Sequence, residues 1–572
     1  MPGPGSTYHD PALTDLRTRP RPLNVLELAP SSAQAPQAAA RPADGRLIEF
    51  RPDEQAMPRF HVWTLGCQMN RSDSEEMAGR LLAAGCDEAP SLESADLVVI
   101  NTCAIREGAE QKVIGRQGDL ARLKAARPGL RIVLTGCSVR EAERGGLARR
   151  YPAVDLFLRP DEEPELVERL GLASAQAPIG AVGRTGVLNG QPIGLADALP
   201  DTRARAVARD AIQRTSTISA WIPIIYGCDK SCTYCIVPFS RGPERSRPFD
   251  EVVEEARRLA AAGFREVTLL GQNVNSYGHD LPVEDRFSHV ETERWGGRQI
   301  DLLARPDLAE LLRTIDGLPA PDGRSGIDRL RFVTSHPWDL SDRLIAAMGE
   351  CRSVCEHLHL PVQSGDDAVL RRMGRQYTIE HYLERLARIR ETVPGIAIST
   401  DVIVGFCGET EAQFEATLGL LNTVRYDQVF AAAFSPRPGT PATRLPDDVP
   451  AAEKRRRLNT LLALQEGIGL ERNQAWIGRD VEVLVDAIVP ARSHEHDEEQ
   501  GSAPGNDGAR REDGAITGGA GAPDTAAGQV RLSGRSRHNK LVHLRGPASL
   551  VGSIVSVRVD HAGPYSLRGR LA

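Results

Sequence analysis

The chain has 572 residues, too many for one domain at roughly 150 residues each, and 41% of them are hydrophobic, enough for a large core. Its 70 basic and 77 acidic side chains leave a net charge of −7, so attraction to nucleic acid must come from a local basic patch and not from overall charge. No run approaches the roughly 18 apolar residues of a spanning helix, and the N-terminus lacks an apolar secretory region; a cytoplasmic protein without membrane contact is expected.

In chain order, residues 1 to about 57 are rich in Pro, Ala and Arg without apolar periodicity and read as a disordered tail. From residue 58 to about 174 short apolar runs alternate with helical patterns: Phe60 to Leu65, the helix Ser72 to Ala84 closed by Gly85, Leu97 to Ile100, and Ile132 to Leu134. This is an open α/β domain. A Gly-, Pro- and Ala-rich linker follows over about 175–213. Six strands are expected in the next region, 214–473: Ile222 to Tyr226, Glu266 to Leu270, Leu330 to Val333, Glu356 to Leu360, Ile398 to Val404 and Gln428 to Ala433. With helices between them they make an α/β fold, an open, partial (βα)6 barrel. Val252, Val253, Ala256, Leu259 and Ala260 share one helix face before Gly263, and 278–302 reads as an inserted surface loop. The last region, 474–572, holds five short strands, Val481 to Val485, Gln529 to Leu532, Lys540 to Leu544, Ser553 to Val559 and Leu567 to Leu571, which predict a small all-β barrel. A low-complexity insertion at about 490–528 interrupts it.

Ten cysteines are too few for a disulfide scaffold, so their grouping carries the chemistry. Cys228, Cys232 and Cys235 lie in a Cys-x3-Cys-x2-Cys loop just past an apolar strand. Structural zinc takes four ligands, and no fourth Cys or His is near in sequence. A four-iron cluster on three cysteines leaves one iron free for an exchangeable molecule. On the residues alone, zinc completed by a distant histidine stays open.

Three more cysteines each follow a predicted strand: Cys67 after Trp63-Thr64-Leu65, Cys103 after Leu97 to Asn101, and Cys137 after Ile132 to Thr135. If these strands are parallel, their carboxyl ends share one crevice, where open α/β sheets place ligands. Buried core cysteines are the alternative.

The loop resembles that of the radical S-adenosylmethionine enzymes. The segments Thr64-Leu65-Gly66-Cys67-Gln68-Met69-Asn70, Asn101-Thr102-Cys103-Ala104-Ile105-Arg106-Glu107 and Thr135-Gly136-Cys137 look like the N-terminal signature of the methylthiotransferases within that superfamily. Cys-Gln-Met-Asn is similar to the tRNA-2-methylthio-N6-dimethylallyladenosine synthases, whereas ribosomal-protein relatives typically show Cys-Pro-Lys-Asn. The likeness continues through Ile236 to Gly242, Leu270 to Asn275, Leu360 to Gly365 and Ser435 to Thr440, and departs at Cys407 and Phe434, where Pro and Tyr are more usual.

The resemblance implies two [4Fe-4S] clusters, one on Cys67, Cys103 and Cys137 and one on Cys228, Cys232 and Cys235, with S-adenosyl-L-methionine bound at the second. It gives Tyr234, Gln272 and Asn273 to cofactor binding; Gln272 and Asn273 also lie just past a barrel strand, where barrel enzymes put functional groups. It implies methylthio transfer to C2 of N6-isopentenyladenosine at position 37 of tRNA. One S-adenosylmethionine donates a methyl group and another yields the 5′-deoxyadenosyl radical that takes the C2 hydrogen. Expected partners are the anticodon stem-loop of tRNA, a one-electron donor and a sulfur supply system, with the chain acting as a monomer. The alternatives are the same chemistry on another tRNA adenosine or a ribosomal protein, and a non-catalytic, zinc-stapled RNA-binding protein. Arg241, Arg245 and Arg247 are candidates for phosphate contact or for a solvated surface. Cys86, Cys351, Cys355 and Cys407 read as plain core or surface thiols. From Gln529 onward Arg531, Arg535, Arg537, Lys540, Arg545, Arg558, Arg568 and Arg570 face one acid, Asp560, a local charge of +7 that resembles a TRAM domain binding RNA phosphate.

Overall fold

The computed structural model describes residues 58–104, 107–140, 144–172, 187–188, 191–192, 212–287, 292–295, 298–301, 305–319, 326–490 and 528–572. The expected tail, most of the expected linker and most of the low-complexity insertion lie outside the described residues.

The first apolar runs form a parallel five-stranded sheet: β1 (Arg59–Leu65), β2 (Asp87–Glu88), β3 (Leu97–Thr102), β4 (Arg131–Thr135) and β5 (Leu156–Phe157), in the order β2-β1-β3-β4-β5. Every residue of β3 is buried, as befits a central parallel strand covered on both faces. Helix α1 (Gln68–Ala83) starts one turn earlier than Ser72, because Asn70 Oδ1 accepts the Cys67 backbone N–H at 3.2 Å and caps the first turn. Its buried residues include Asn70, Ser72, Asp73, Ser74 and Glu75. That polar face meets the next part of the chain: Glu75 Oε1 accepts the Thr215 N–H at 2.9 Å.

The second region places β6 (Ser219–Pro223), β7 (Glu266–Leu270) and β8 (Arg329–Phe332) in one parallel sheet. A second parallel sheet holds β9 (His357–His359), β10 (Ala397–Val404) and β11 (Gln428–Ala433). The two are stitched between Leu330 and Val354, giving six strands in sequence order, an open partial barrel. Helix α2 (Val237–Arg241) follows the cysteine loop, and α3 (Phe249–Ala261) buries Val252, Val253, Ala256, Leu259 and Ala260 in the main core with Val267, Leu269, Leu330, Leu358 and Ile398. The strand expected over Ile222 to Tyr226 splits: β6 ends at Pro223, and Ile225–Tyr226 pairs antiparallel with Arg245–Ser246. Within the segment read as a loop, Thr292–Trp295 and Arg298–Asp301 pair as antiparallel strands.

After the long helix α4 (Ala451–Gln474), β12 (Asp480–Ile488), β13 (Gln529–Ser536), β14 (Leu541–Pro547), β15 (Ile554–Ala562) and β16 (Ser566–Leu571) close a barrel in the order β12-β13-β14-β16-β15. Val481, Val483, Val485, Leu532, Val542, Leu544, Val557, Val559 and Leu567 fill its interior. This barrel docks on the starts of the parallel strands. Arg329, 0% exposed at the first position of β8, donates to the Arg535 carbonyl at 2.5 Å and to Glu482 Oε1 at 3.0 Å. Arg331 donates to the Ser536 carbonyl at 2.8 Å. In return Arg537 pairs with Glu356 at 2.8 Å and Lys540 with Asp427 at 2.7 Å. Arg558 and Arg568 pair with Asp480 and Asp560 at 2.7 and 3.6 Å, so part of the +7 patch serves the barrel's own packing and docking and is not a bare RNA surface. No helix among the described residues is long and apolar enough to cross a membrane.

Candidate functional site: two cysteine trios

The carboxyl ends of β1, β3 and β4 lie side by side, with Leu65 opposite Thr102 and Asn101 opposite Thr135. Cys67, Cys103 and Cys137 follow those ends by two, one and two residues, so parallel register converts distant sequence positions into one cluster of thiols. Gly136 makes the approach possible: at φ +91° a Cβ would stand 2.3 Å from the Thr102 carbonyl oxygen. Cys103 and Cys137 are 0% and 2% exposed. The Cys67 thiol is held down to about 5 by a hydrogen bond from Cys103, against burial and with help from Arg241. Burial pushes Cys137 up.

The second trio sits on the loop after β6. Gly227, at φ +74°, has no room for a side chain, since a Cβ would lie 2.0 Å from the Pro243 carbonyl oxygen. Its N–H donates to Gln272 Oε1 at 2.6 Å, and the Thr233 N–H donates to the Met373 carbonyl at 2.9 Å, so the loop is clamped from both sides. Burial pushes Cys228 up to about 11 and Cys235 up to about 12, Cys235 also feeling the charge of Cys232. Without a cluster these two thiols keep their protons at neutral pH, and assembly must displace them. Arg375, buried, donates to Cys232 Sγ at 3.4 Å, to the Pro361 carbonyl at 2.8 Å and to Tyr377 Oη at 3.0 Å.

The trios are neighbours. Ile236, the residue after Cys235, packs against Cys137 and Ala104. Arg241, on the helix that follows, donates from Nε to Cys137 Sγ at 3.3 Å and from Nη2 to Asp73 Oδ2 at 2.6 Å. Arg241 is 6% exposed and Arg247, bonded to Glu255 at 2.8 Å, is 4% exposed, which corrects their reading as phosphate contacts or a solvated surface. The physical reason is that each meets a buried carboxylate from another element.

The other expected site residues lie around the second trio. Gln272 braces Gly227. Asn273, 2% exposed, donates to Asp339 Oδ2 at 2.5 Å, and Asp339 also receives Lys230 at 2.7 Å. Asn273 Oδ1 is buried without a hydrogen-bond partner. Tyr234 stands edge-on to Phe406 at 6.4 Å between ring centres, its hydroxyl driven well above the usual phenol range by burial. Cys86, Cys351, Cys355 and Cys407 are buried core thiols. Sequence reading missed Arg375 and the role of Arg241, because their partners come from other elements.

The donor chemistry fits iron-sulfur clusters: six soft thiols in two groups of three, each group receiving an N–H from a buried arginine. A single zinc would need four donors about 2.0–2.3 Å from it. Each trio offers three thiols, one short of that set.

Comparison with known proteins adds the family. Residues 222–421 match the radical SAM superfamily and residues 59–159 match an uncharacterized protein family, UPF0004. A tRNA-2-methylthio-N(6)-dimethylallyladenosine synthase from Thermoanaerobacter sp. (strain X514) is 37% identical over 90% of this chain and 92% of its own. The chain belongs to the tRNA-2-methylthio-N(6)-dimethylallyladenosine synthase family. Family members of the same name from Acetivibrio thermocellus, 38% identical over 89% of this chain and 90% of theirs, and from Roseiflexus sp. (strain RS-1), 37% over 93% of both, extend the match. As the family match spans nearly the whole chain, it takes in the sheet, the partial barrel and the small barrel together.

Proposed function

We propose that this enzyme transfers a methylthio group to C2 of N6-isopentenyladenosine at position 37 of tRNA, using S-adenosyl-L-methionine and two [4Fe-4S] clusters. The observation that carries the reading is the contact of the trios through Ile236 and Arg241. Chemistry begun at one and sulfur delivered from the other must meet at near-contact range, and a shared wall supplies that proximity.

Cys67, Cys103 and Cys137 would hold the auxiliary cluster, and Cys228, Cys232 and Cys235 the radical one. When bound, these groups supply a methyl donor, a sulfur site and a radical able to take hydrogen from an unactivated carbon. The chain's own residues do the rest. Gln272 fixes the loop's first turn, and Arg375 holds Cys232 while keeping positive charge beside it. Asn273, with its unpartnered buried Oδ1, and Tyr234, beside the radical loop, would face the cofactor. Ile236, Cys137 and Ala104 pack together as an apolar contact between the two trios. An anticodon stem-loop, an external one-electron donor and a sulfur supply complete the reaction, with one chain forming the whole site.

The test is mass analysis of nucleosides from tRNA incubated with the anaerobically reconstituted protein. Methylthiolated isopentenyladenosine is expected from the wild type and none from Cys228→Ala or Cys103→Ala; full turnover by Cys103→Ala would overturn the auxiliary assignment.

A further inference from the structure

The arginine between the trios has a geometry that packing alone does not require. Arg241 lies six residues after Cys235, at the last position of α2, so its backbone travels with the radical loop. Its side chain leaves that region: Nε donates to Cys137 Sγ at 3.3 Å and Nη2 to Asp73 Oδ2 at 2.6 Å, both groups belonging to the first sheet domain. All three residues are nearly inaccessible, Arg241 and Asp73 at 6% and Cys137 at 2% exposure. A second carboxyl, Glu163, also faces the guanidinium and is itself held by Thr135 Oγ1 at 2.7 Å, two residues before Cys137. A buried guanidinium therefore bridges two domains and ends on a cluster-ligand sulfur, with an acid behind it setting how much positive charge that sulfur feels.

Such an arrangement has two effects. The fork geometry of the guanidinium fixes Cys137 relative to helix α2, which begins two residues after Cys235, so the trios cannot slide independently. An N–H donor and a positive charge beside a cysteine sulfur favour the more negative, reduced state of any cluster it binds, and a carboxylate behind them opposes this. We propose that Arg241 is a positioning residue that couples the two trios and, balanced against Asp73, sets the reduction potential of the auxiliary cluster. This inference rests on the two-cluster reading above.

The test uses the full chain carrying Cys228→Ala, Cys232→Ala and Cys235→Ala, reconstituted anaerobically so that only the auxiliary cluster remains, and follows its reduction by electron paramagnetic resonance at controlled potentials. Arg241→Gln is expected to lower the reduced-to-oxidised ratio at a fixed potential about tenfold, equivalent to about 59 mV for a one-electron couple. Asp73→Asn is expected to move the ratio the opposite way, because it removes the carboxyl bonded directly to the guanidinium. Arg241→Lys keeps the charge and is expected to recover most of the ratio. In the chain with all six cysteines, Arg241→Gln and Arg241→Lys are both expected to lower methylthiolated product per 5′-deoxyadenosine released about tenfold, since lysine cannot bridge both partners. Loss of stability alone would not give opposite signs for Arg241→Gln and Asp73→Asn. If Arg241→Gln does not fold, Arg241→Lys and Asp73→Asn decide by the same measurements. Unchanged ratios, or both variants shifting the same way, overturn the inference while leaving the two-cluster reading intact. A chain without the radical-loop thiols that binds no iron overturns both.

Discussion

The two trios reach similar chemistry by opposite routes. Cys228, Cys232 and Cys235 occupy eight consecutive residues of one clamped loop, whereas Cys67, Cys103 and Cys137 come from the ends of three strands and meet only because those strands are parallel and in register. The loop depends on local turn geometry and a few long-range braces; the strand-end trio depends on the whole sheet. Their wiring differs too. Arg375 meets a sulfur, a carbonyl and a tyrosine hydroxyl, while Arg241 meets a sulfur and a carboxylate. A guanidinium held by a tyrosine hydroxyl and a carbonyl sits beside the second trio, and one paired with a carboxylate beside the first.

This contrast can be broken most sharply at the sulfurs. Cys228→Ala is expected to abolish both 5′-deoxyadenosine release and methylthiolation, whereas Cys103→Ala abolishes only the second and retains about four irons per chain of about eight; iron analysis with product quantification distinguishes them. Next come the braces. Arg375→Met removes three buried hydrogen bonds and is expected to cost about 3 kcal/mol, seen by denaturant unfolding of the apo chain and by lost iron at the second trio alone. Smaller effects follow at the two glycines, where Gly136→Ala and Gly227→Ala each force strained backbone against a carbonyl at a cost of about 2 kcal/mol. Gly136→Ala should lower the apo melting temperature, because the sheet must shift, while Gly227→Ala should show chiefly as lost iron in the radical loop. Equal behaviour of the two would remove the distinction between a fold-built and a loop-built site.

The smallest effect lies away from both trios and serves as their control. Burial would raise the Asp427 carboxyl, but Lys540 and Arg472 outweigh it and hold it below the ordinary carboxylate value. Its stabilisation is therefore present above the unfolded value and disappears as pH falls through the lowered folded value. Asp427→Asn is expected to cost about 1 kcal/mol at pH 7 and nothing in strong acid, with iron content at both trios unaltered. A stability loss that persists below pH 2 would contradict this sign.

Sequence revealed most where the information is local. The expected spans of β7 and β11 coincide with those observed, because Glu266 to Leu270 and Gln428 to Ala433 are short apolar runs with sharp ends. The cysteine loop was legible from spacing, and the strand-end trio from the habit of thiols following apolar runs. What escaped was set by partners distant in sequence. Helix α1 began early because Asn70 caps its first turn, and the polar residues that follow are buried, contrary to the periodicity rule. Arg241 and Arg247 read as phosphate contacts or surface charge, yet Asp73 and Glu255 stand opposite them. The basic residues of the small barrel resembled a bare RNA face, yet Arg537 and Lys540 are paired with Glu356 and Asp427 of the core. A charge count carries no information about who stands across the seam.

That seam turns the small barrel into a fixed jaw. Arg329 and Arg331 are rooted in the strand starts and reach into the barrel's backbone, so it cannot swing freely while the core stays still. An RNA held by the outward arginines would therefore lie at a constant span from the two cysteine trios, as a caliper measures a part. Selection of one nucleotide among its neighbours would then be partly a matter of length.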